Sequence, residues 1–149
     1  MEDPKAVIKA ELKTAMKNKD SDRRNVLRLV QSAIKQVEVD TQKDLDSAGV
    51  VDVLQKEAKK RREAIDDNTK AGREEQAEQE RYELSVIEEF LPEQLSEDEI
   101  VVIVDEVIAD VGASSPKDMG QVMGPAMAKV KGRADGKVVS KIVKQQLSS

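Results

Sequence analysis

Apolar positions recur along this chain at intervals of three and four, and no stretch alternates apolar and polar residues for long. That period predicts helices from end to end and an all-α fold. Asp3 and Pro4 offer an N-cap and first helical position. Ile8, Leu12, Ala15 and Met16 then share one face. Ser21 is placed to cap a second helix whose stripe is Val26, Val30, Ala33, Ile34 and Val37, and residues 40–46 read as a loop. A third helix over 47–71 turns Val51, Leu54, Ala58 and Ile65 inward. A fourth over 73–91 does the same with Ala77, Leu84, Ile87 and Leu91, and Gly72 lies at the turn between them. Both are polar over long stretches, which predicts a long antiparallel hairpin with little core beneath its tip near 67–72. The tip then leans on i,i+4 ion pairs such as Glu57 with Arg61, each contributing about 0.2–0.5 kcal/mol.

Pro92 drives Leu91 out of the α region and ends this run. Ser96 with Glu99 forms a capping box that opens the next helix. These signals divide the chain into an N-terminal helical domain over 1–92 and a small C-terminal helical tail domain over 93–149. Residues 100–111 are apolar nearly all round, as the central helix of the tail should be, and Gly112 follows as its terminator. Ser115-Pro116 reads as a helix start. Gly124-Pro125 reads as a break or sharp kink, with Pro125 beginning a short helix that ends at Gly132. Asp135 is placed to cap a final helix over 136–147.

Composition narrows what these helices can do. The chain has 149 residues, neither Cys nor His, no Trp, one Tyr (Tyr82) and one Phe (Phe90). Disulfides, ordinary zinc sites and His-assisted nucleophiles are thereby excluded, as are aromatic platforms for stacking bases. No cofactor and no metal site is expected. Residues 1–4 do not form a signal peptide, and no apolar run approaches membrane length, so the expectation is a soluble cytoplasmic protein with no membrane partner.

Charge is segregated. Residues 1–37 hold nine basic and five acidic side chains, residues 38–110 nine and 23, and residues 111–149 seven and two. The net charge of −5 therefore conceals two basic ends, and such ends can meet an anionic polymer.

Candidate chemistry concentrates in the basic C-terminal stretch. Met119, Met123 and Met127 are spaced for one apolar seam, best explained as core filling, with a protein-docking surface as the alternative. Gly120 and Gly124 permit close backbone approach, within the domain or by a ligand. The turn over 129–137 is the leading site. A helix N-terminus there offers free N–H groups to an anion, and Lys131, Arg133 and Lys137 surround it, with Lys129 and Gly132 in the same segment; the alternative is a capped turn with solvated charges. Lys137, Lys141 and Lys144 continue as a ridge opposite Val138, Val139, Ile142, Val143 and Leu147. The Asp135 carboxylate opposes anion binding at the same N-terminus. Lys5, Lys9, Lys13 and Lys17, and the basic run 56–62, are weaker signals, and no carboxylate pair supports a catalytic assignment.

Several stretches together resemble the GatB/YqeY family, in particular its free-standing YqeY-like proteins. They are 90–95 (Phe-Leu-Pro-Glu-Gln-Leu), 111–115, 117–120 (Lys-Asp-Met-Gly), 122–124, and 129–136 (Lys-Val-Lys-Gly-Arg-Ala-Asp-Gly), with 71–74 in the hairpin. The resemblance spans nearly the whole chain. It implies an all-α N-terminal domain joined to a compact tail, similar to the tail of the B subunit of the tRNA-dependent amidotransferase, where it helps hold tRNA. It carries over Lys129, Lys131, Gly132, Arg133 and Lys137 as RNA contacts, whereas Lys141 and Lys144 rest on the charge pattern. The expected function is a non-catalytic tRNA-binding or tRNA-handling accessory protein. Its expected partners are tRNA, held by its backbone, and a synthetase or amidotransferase. The alternatives are an adaptor for such an enzyme, and a carbon–nitrogen ligase with glutamine as amide donor, although nothing in the chain supplies that reaction alone. Gln121 stands where the family often has lysine, and Phe90 where it often has tyrosine.

Overall fold

The computed structural model of the protein describes residues 3–148; Met1, Glu2 and Ser149, including half of the stretch on which the leader reading rests, lie outside the described residues. The structure is all-α. It divides into two compact units, Met1–Leu91 and Pro92–Ser149.

The first unit holds α1 (Pro4–Lys17), α2 (Ser21–Thr41), α3 (Ser47–Lys70) and α4 (Glu74–Glu88). Asp3 caps α1, its carboxylate accepting from the Lys5 N–H at 3.2 Å. The cap of α2 is Asp20, not Ser21: its carboxylate accepts from the Arg23 N–H at 3.1 Å, and Ser21 becomes the first helical residue. A carboxylate serves the positive helix end better than a hydroxyl does. Ile8, Leu27, Val30, Val50, Leu54, Ala58 and Ile87 fill the core of this unit. Met16 is half exposed, against expectation. It follows Ala15 by one residue and so turns about 80° away from Ile8 on a 3.6-residue helix.

The hairpin of α3 and α4 reverses at Gly72, whose φ of +73° only glycine adopts freely. Its buried apolar residues end at Ala58 on α3 and Ala77 on α4. A network of charges lies between them. The Glu57 carboxylate, itself buried, accepts from Arg61 at 2.9 Å and Lys60 at 3.1 Å. Arg61 lies 4.0 Å from Glu80 and 3.6 Å from Glu83 across the hairpin. The pair expected to support the hairpin tip is thus part of a half-buried network.

The second unit holds α5 (Glu97–Val111), a 3₁₀ turn (Pro116–Asp118), α6 (Met119–Val130) and α7 (Gly136–Leu147). Ser96 and Glu99 form the capping box, with bonds of 3.2 and 3.1 Å, and Gly112 ends α5 at φ +70°. Ile100, Val104, Val107, Val122, Ala126, Val130, Val139, Val143 and Leu147 close the core. Val102 and Val111 are exposed, so α5, apolar nearly all round, is not buried all round.

One expectation fails here, and another holds with a different helix type. Ser115-Pro116 opens the 3₁₀ turn, with the Asp118 carboxylate accepting from the N–H groups of Ser114 and Ser115, and α6 starts only at Met119. Gly124-Pro125 does not break α6, which runs through Pro125 to Val130. The clash that keeps a pre-proline residue out of the α region involves its Cβ, which Gly124 lacks.

Candidate nucleic-acid interface

The turn between α6 and α7 is built by hydrogen bonds to the segment that precedes α5. Gly132 adopts φ +76° and is buried. Its carbonyl accepts from Gln94 Nε2 at 3.0 Å, and the same amide donates to the Pro92 carbonyl at 2.7 Å. The Arg133 carbonyl accepts from the Leu95 N–H at 2.8 Å, and Arg133 Nε donates to the Glu93 carbonyl at 3.2 Å. The two stretches 90–95 and 129–136 therefore meet and latch one another. Gln94 was not singled out in the sequence; the joint presence of these two stretches was the signal that pointed to it.

This latch redistributes the candidate residues. Gly132 shapes the turn and is covered. Arg133 is half-buried with its Nε committed to Glu93, and its charge also helps hold the Glu99 carboxyl low. The larger causes at Glu99 are hydrogen bonds from the Ser96 backbone and hydroxyl. Lys129 faces α5, 3.9 Å from both Glu106 and Asp110. At α7, the Asp135 carboxylate takes the Lys137 N–H at 3.0 Å, occupying part of the helix end expected to receive an anion.

What the structure does bring together is the ridge. Lys137, Lys141 and Lys144 are exposed along one stripe of α7, and Lys137 and Lys141 line a shallow groove of about 200 Å³ with Val138 and Glu97. Lys131 is exposed at the end of α6. The opposite side of α7, Val139, Ile142, Val143 and Leu147, is buried as expected, while Val138 is only half-buried. Acidic side chains collect on α5 and its approach, so residues 92–149 hold nine acidic and seven basic residues. The surface is basic locally, not as a whole.

Met119, Met123 and Met127 pack against the core, in line with the core-filling reading. Gly120 and Gly124 do not serve packing within the unit, since a Cβ at either would meet nothing within 4 Å. Among the described residues no cluster of three or more acidic side chains is arranged to hold a metal, and no helix is long and apolar enough to cross a membrane.

Comparison with known proteins gives two kinds of relative. Over 57 residues, 36% of this chain, it is 46% identical to the E subunit of the glutamyl-tRNA(Gln) amidotransferase of Thermococcus gammatolerans, of which that match covers 9%. Over 124 residues, 80% of this chain, it is 35% identical to Altered inheritance of mitochondria protein 41, mitochondrial, of Kluyveromyces lactis, covering 66% of that protein. The protein of the same name from Pyrenophora tritici-repentis is 28% identical over 141 residues, 93% of this chain and 77% of that protein. The chain thus spans a small part of the archaeal amidotransferase polypeptide and just under two thirds of the Kluyveromyces protein. The family model described as Yqey-like protein matches residues 5–147, and the chain belongs to that family.

Proposed function

We propose that this protein is a non-catalytic tRNA-handling accessory whose C-terminal unit contacts the RNA backbone through α7. The observation that carries the reading is the exposed stripe of Lys137, Lys141 and Lys144 set against a buried apolar face. Lys131 extends it, while Gly132 and Arg133 are assigned to holding the turn and Lys129 to pairing with Glu106 and Asp110 on α5. Support comes from the similarity to an amidotransferase whose name ties it to glutamyl-tRNA(Gln). Three lysines on α7 and a fourth at the end of α6 give backbone contacts without base readout, in keeping with a chain that has two aromatic residues.

A gel-shift against total tRNA over a salt series tests the proposal. With about four phosphates contacted, affinity falls on the order of 10²-fold between ~50 and ~200 mM salt. The Lys137→Glu/Lys141→Glu/Lys144→Glu variant, checked for folding by circular dichroism, should lose binding by more than about tenfold. Flat salt dependence, or unchanged binding by the variant, would overturn it. Glutamine-dependent turnover by the purified chain would overturn the non-catalytic part. We place the protein in the cytoplasm; fractionation into an organelle, the compartment named for the fungal relatives, would overturn that assignment.

A further inference from the structure

A second cationic surface lies on the first unit, and the α7 reading makes no use of it. Between α1 and α2 an open groove of about 550 Å³ is lined by Lys5 and Lys9 from α1 and by Arg28, Gln31, Ser32 and Lys35 from α2. Ile8 and Ile34 lie beneath these side chains but are 0% and 5% exposed, so what the groove presents to a partner is polar and basic. Lys13, also exposed, continues the α1 row one turn on. Glu38 is the one acid in the lining; Lys5 and the Leu45 N–H, at 2.8 Å, hold its carboxylate, and the charge of Lys35 adds to this from farther off. Other cations of the unit are drawn into pairs, Arg23 with Glu11 and Glu89, Arg61 with Glu57, Arg81 with Glu78. Lys9, Lys13, Arg28 and Lys35 make no ion pair or hydrogen bond among the described residues. In a chain with 30 acidic side chains against 25 basic ones, four neighbouring cations kept clear of acids create a field that favours a polyvalent anion.

We propose that this surface holds the phosphate backbone of an RNA, as a site separate from α7. The closed apolar floor decides among anionic partners. Protein interfaces draw their affinity from buried aromatic and apolar anchors and are depleted in lysine; here the exposed groups are lysines and an arginine, and the lining exposes no apolar side chain. A lipid surface likewise asks for apolar side chains to insert beside the charges. Nucleic-acid interfaces are polar and strongly positive, and most of their hydrogen bonds go to phosphate and sugar. Lys9, Lys13, Arg28 and Lys35 supply the cations, and Gln31 and Ser32 supply neutral groups of the kind that meet a phosphate or a ribose hydroxyl. Arg28 and Lys35 stand about 10.5 Å apart along α2, the reach of about three phosphates of one strand. Neither Tyr82 nor Phe90 lines the groove, so the contact is to backbone and stacks no base. The choice of RNA over another phosphodiester polymer rests on the proposed function; the surface and its charge do not.

Gel-shifts of the full chain against total tRNA test this. The α7 Lys137→Glu/Lys141→Glu/Lys144→Glu variant should keep a weaker binding whose affinity falls on the order of 10²-fold between ~50 and ~200 mM salt, as about four phosphate contacts require. Adding Lys9→Gln/Lys13→Gln/Arg28→Gln/Lys35→Gln should lower this residual affinity by about tenfold or more and flatten its salt dependence. The four positions are exposed and glutamine is a good helix former, so circular dichroism should show the fold intact. No residual binding by the α7 variant, or residual binding that the four changes leave intact, overturns the proposal and leaves the α7 reading standing. Undiminished binding by the α7 variant overturns the α7 reading instead, and the four changes made alone then decide this one by the same loss. If they spare tRNA binding but abolish binding to vesicles of phosphatidylserine and phosphatidylcholine, or to polyglutamate, the surface serves a membrane or an acidic protein and the proposal fails.

Discussion

Arg61 stands among three carboxylates, those of Glu57, Glu80 and Glu83, between the last buried apolar residues of the hairpin. Burial pushes the Glu83 carboxyl up, and the like charge of Glu80 adds to the shift, while Arg61 opposes it. Removing the guanidinium leaves the half-buried acids facing one another. Arg61→Met should therefore destabilise the first unit by on the order of 3 kcal/mol at neutral pH. The loss should shrink as acid protonates the carboxylates, and urea unfolding at two pH values measures both. Gln94 is the corresponding residue of the second unit, since one amide ties Pro92 to Gly132. Gln94→Ala frees two carbonyls at the turn and should cost about 1–2 kcal/mol. Because Gln94 carries no charge, the salt slope of tRNA binding by the folded variant should stay unchanged. A slope reduced as much as in the α7 variants would mean that the latch, not the ridge, carries the contact.

Most elements were legible from periodicity and caps, because Asp3, the Ser96–Glu99 box, Gly112 and Asp135 each do what their residue type suggests. Helix α6 was not, because Gly124-Pro125 is a breaker pair by each residue's habit and a tolerated pair by their combination. A four-variant cycle measures that combination. Gly124→Ala alone brings a Cβ against the proline ring and forfeits the gain of about 1 kcal/mol that alanine usually gives over glycine in a helix. In the Pro125→Ala background the same change should gain it in full, since the position is open. Additive effects would show that the pre-proline clash is absent. The corner between α2 and α3 was read only as a loop, because its organiser, Glu38, reaches partners distant in sequence. Its carboxyl is held below the ordinary value of 4.5, first by Lys5 and then by the Leu45 N–H. A lowered carboxyl stabilises the fold fully above its unfolded value and less as pH falls through the folded one. The gap in Tm between the unaltered chain and Glu38→Gln should be open at pH 7 and narrow as pH falls below the ordinary carboxylate value of 4.5.

Each unit closes its own apolar core, one around Leu27, Leu54 and Ile87, the other around Val104, Val122 and Val143. The charge pattern follows the same division only in part. The first unit is basic at its start and acidic along its hairpin, and the second places acids on α5 and lysines on α7. This is why the basic C-terminal stretch, so distinct along the sequence, was a poor guide to the surface. The fold set the acids of α5 beside it, drew Lys129 towards Glu106 and Asp110, and left the α7 stripe as the continuous cationic feature. The site was legible as a charge run and illegible as a surface, since which cations a helix packs away depends on partners far along the chain. Separate cores also make stability local. Val122→Ala, at a position with no exposed surface, should cost about 1–3 kcal/mol through lost burial and the void left behind. Native-state hydrogen exchange read by mass spectrometry should show faster exchange through α5, α6 and α7, with α2 and α3 unchanged. Leu54→Ala should do the reverse, at a cost of about 3–5 kcal/mol. If either substitution loosened both units equally, the two cores would be one cooperative structure, and an α7 variant that lost tRNA binding could no longer be read as a local change of charge.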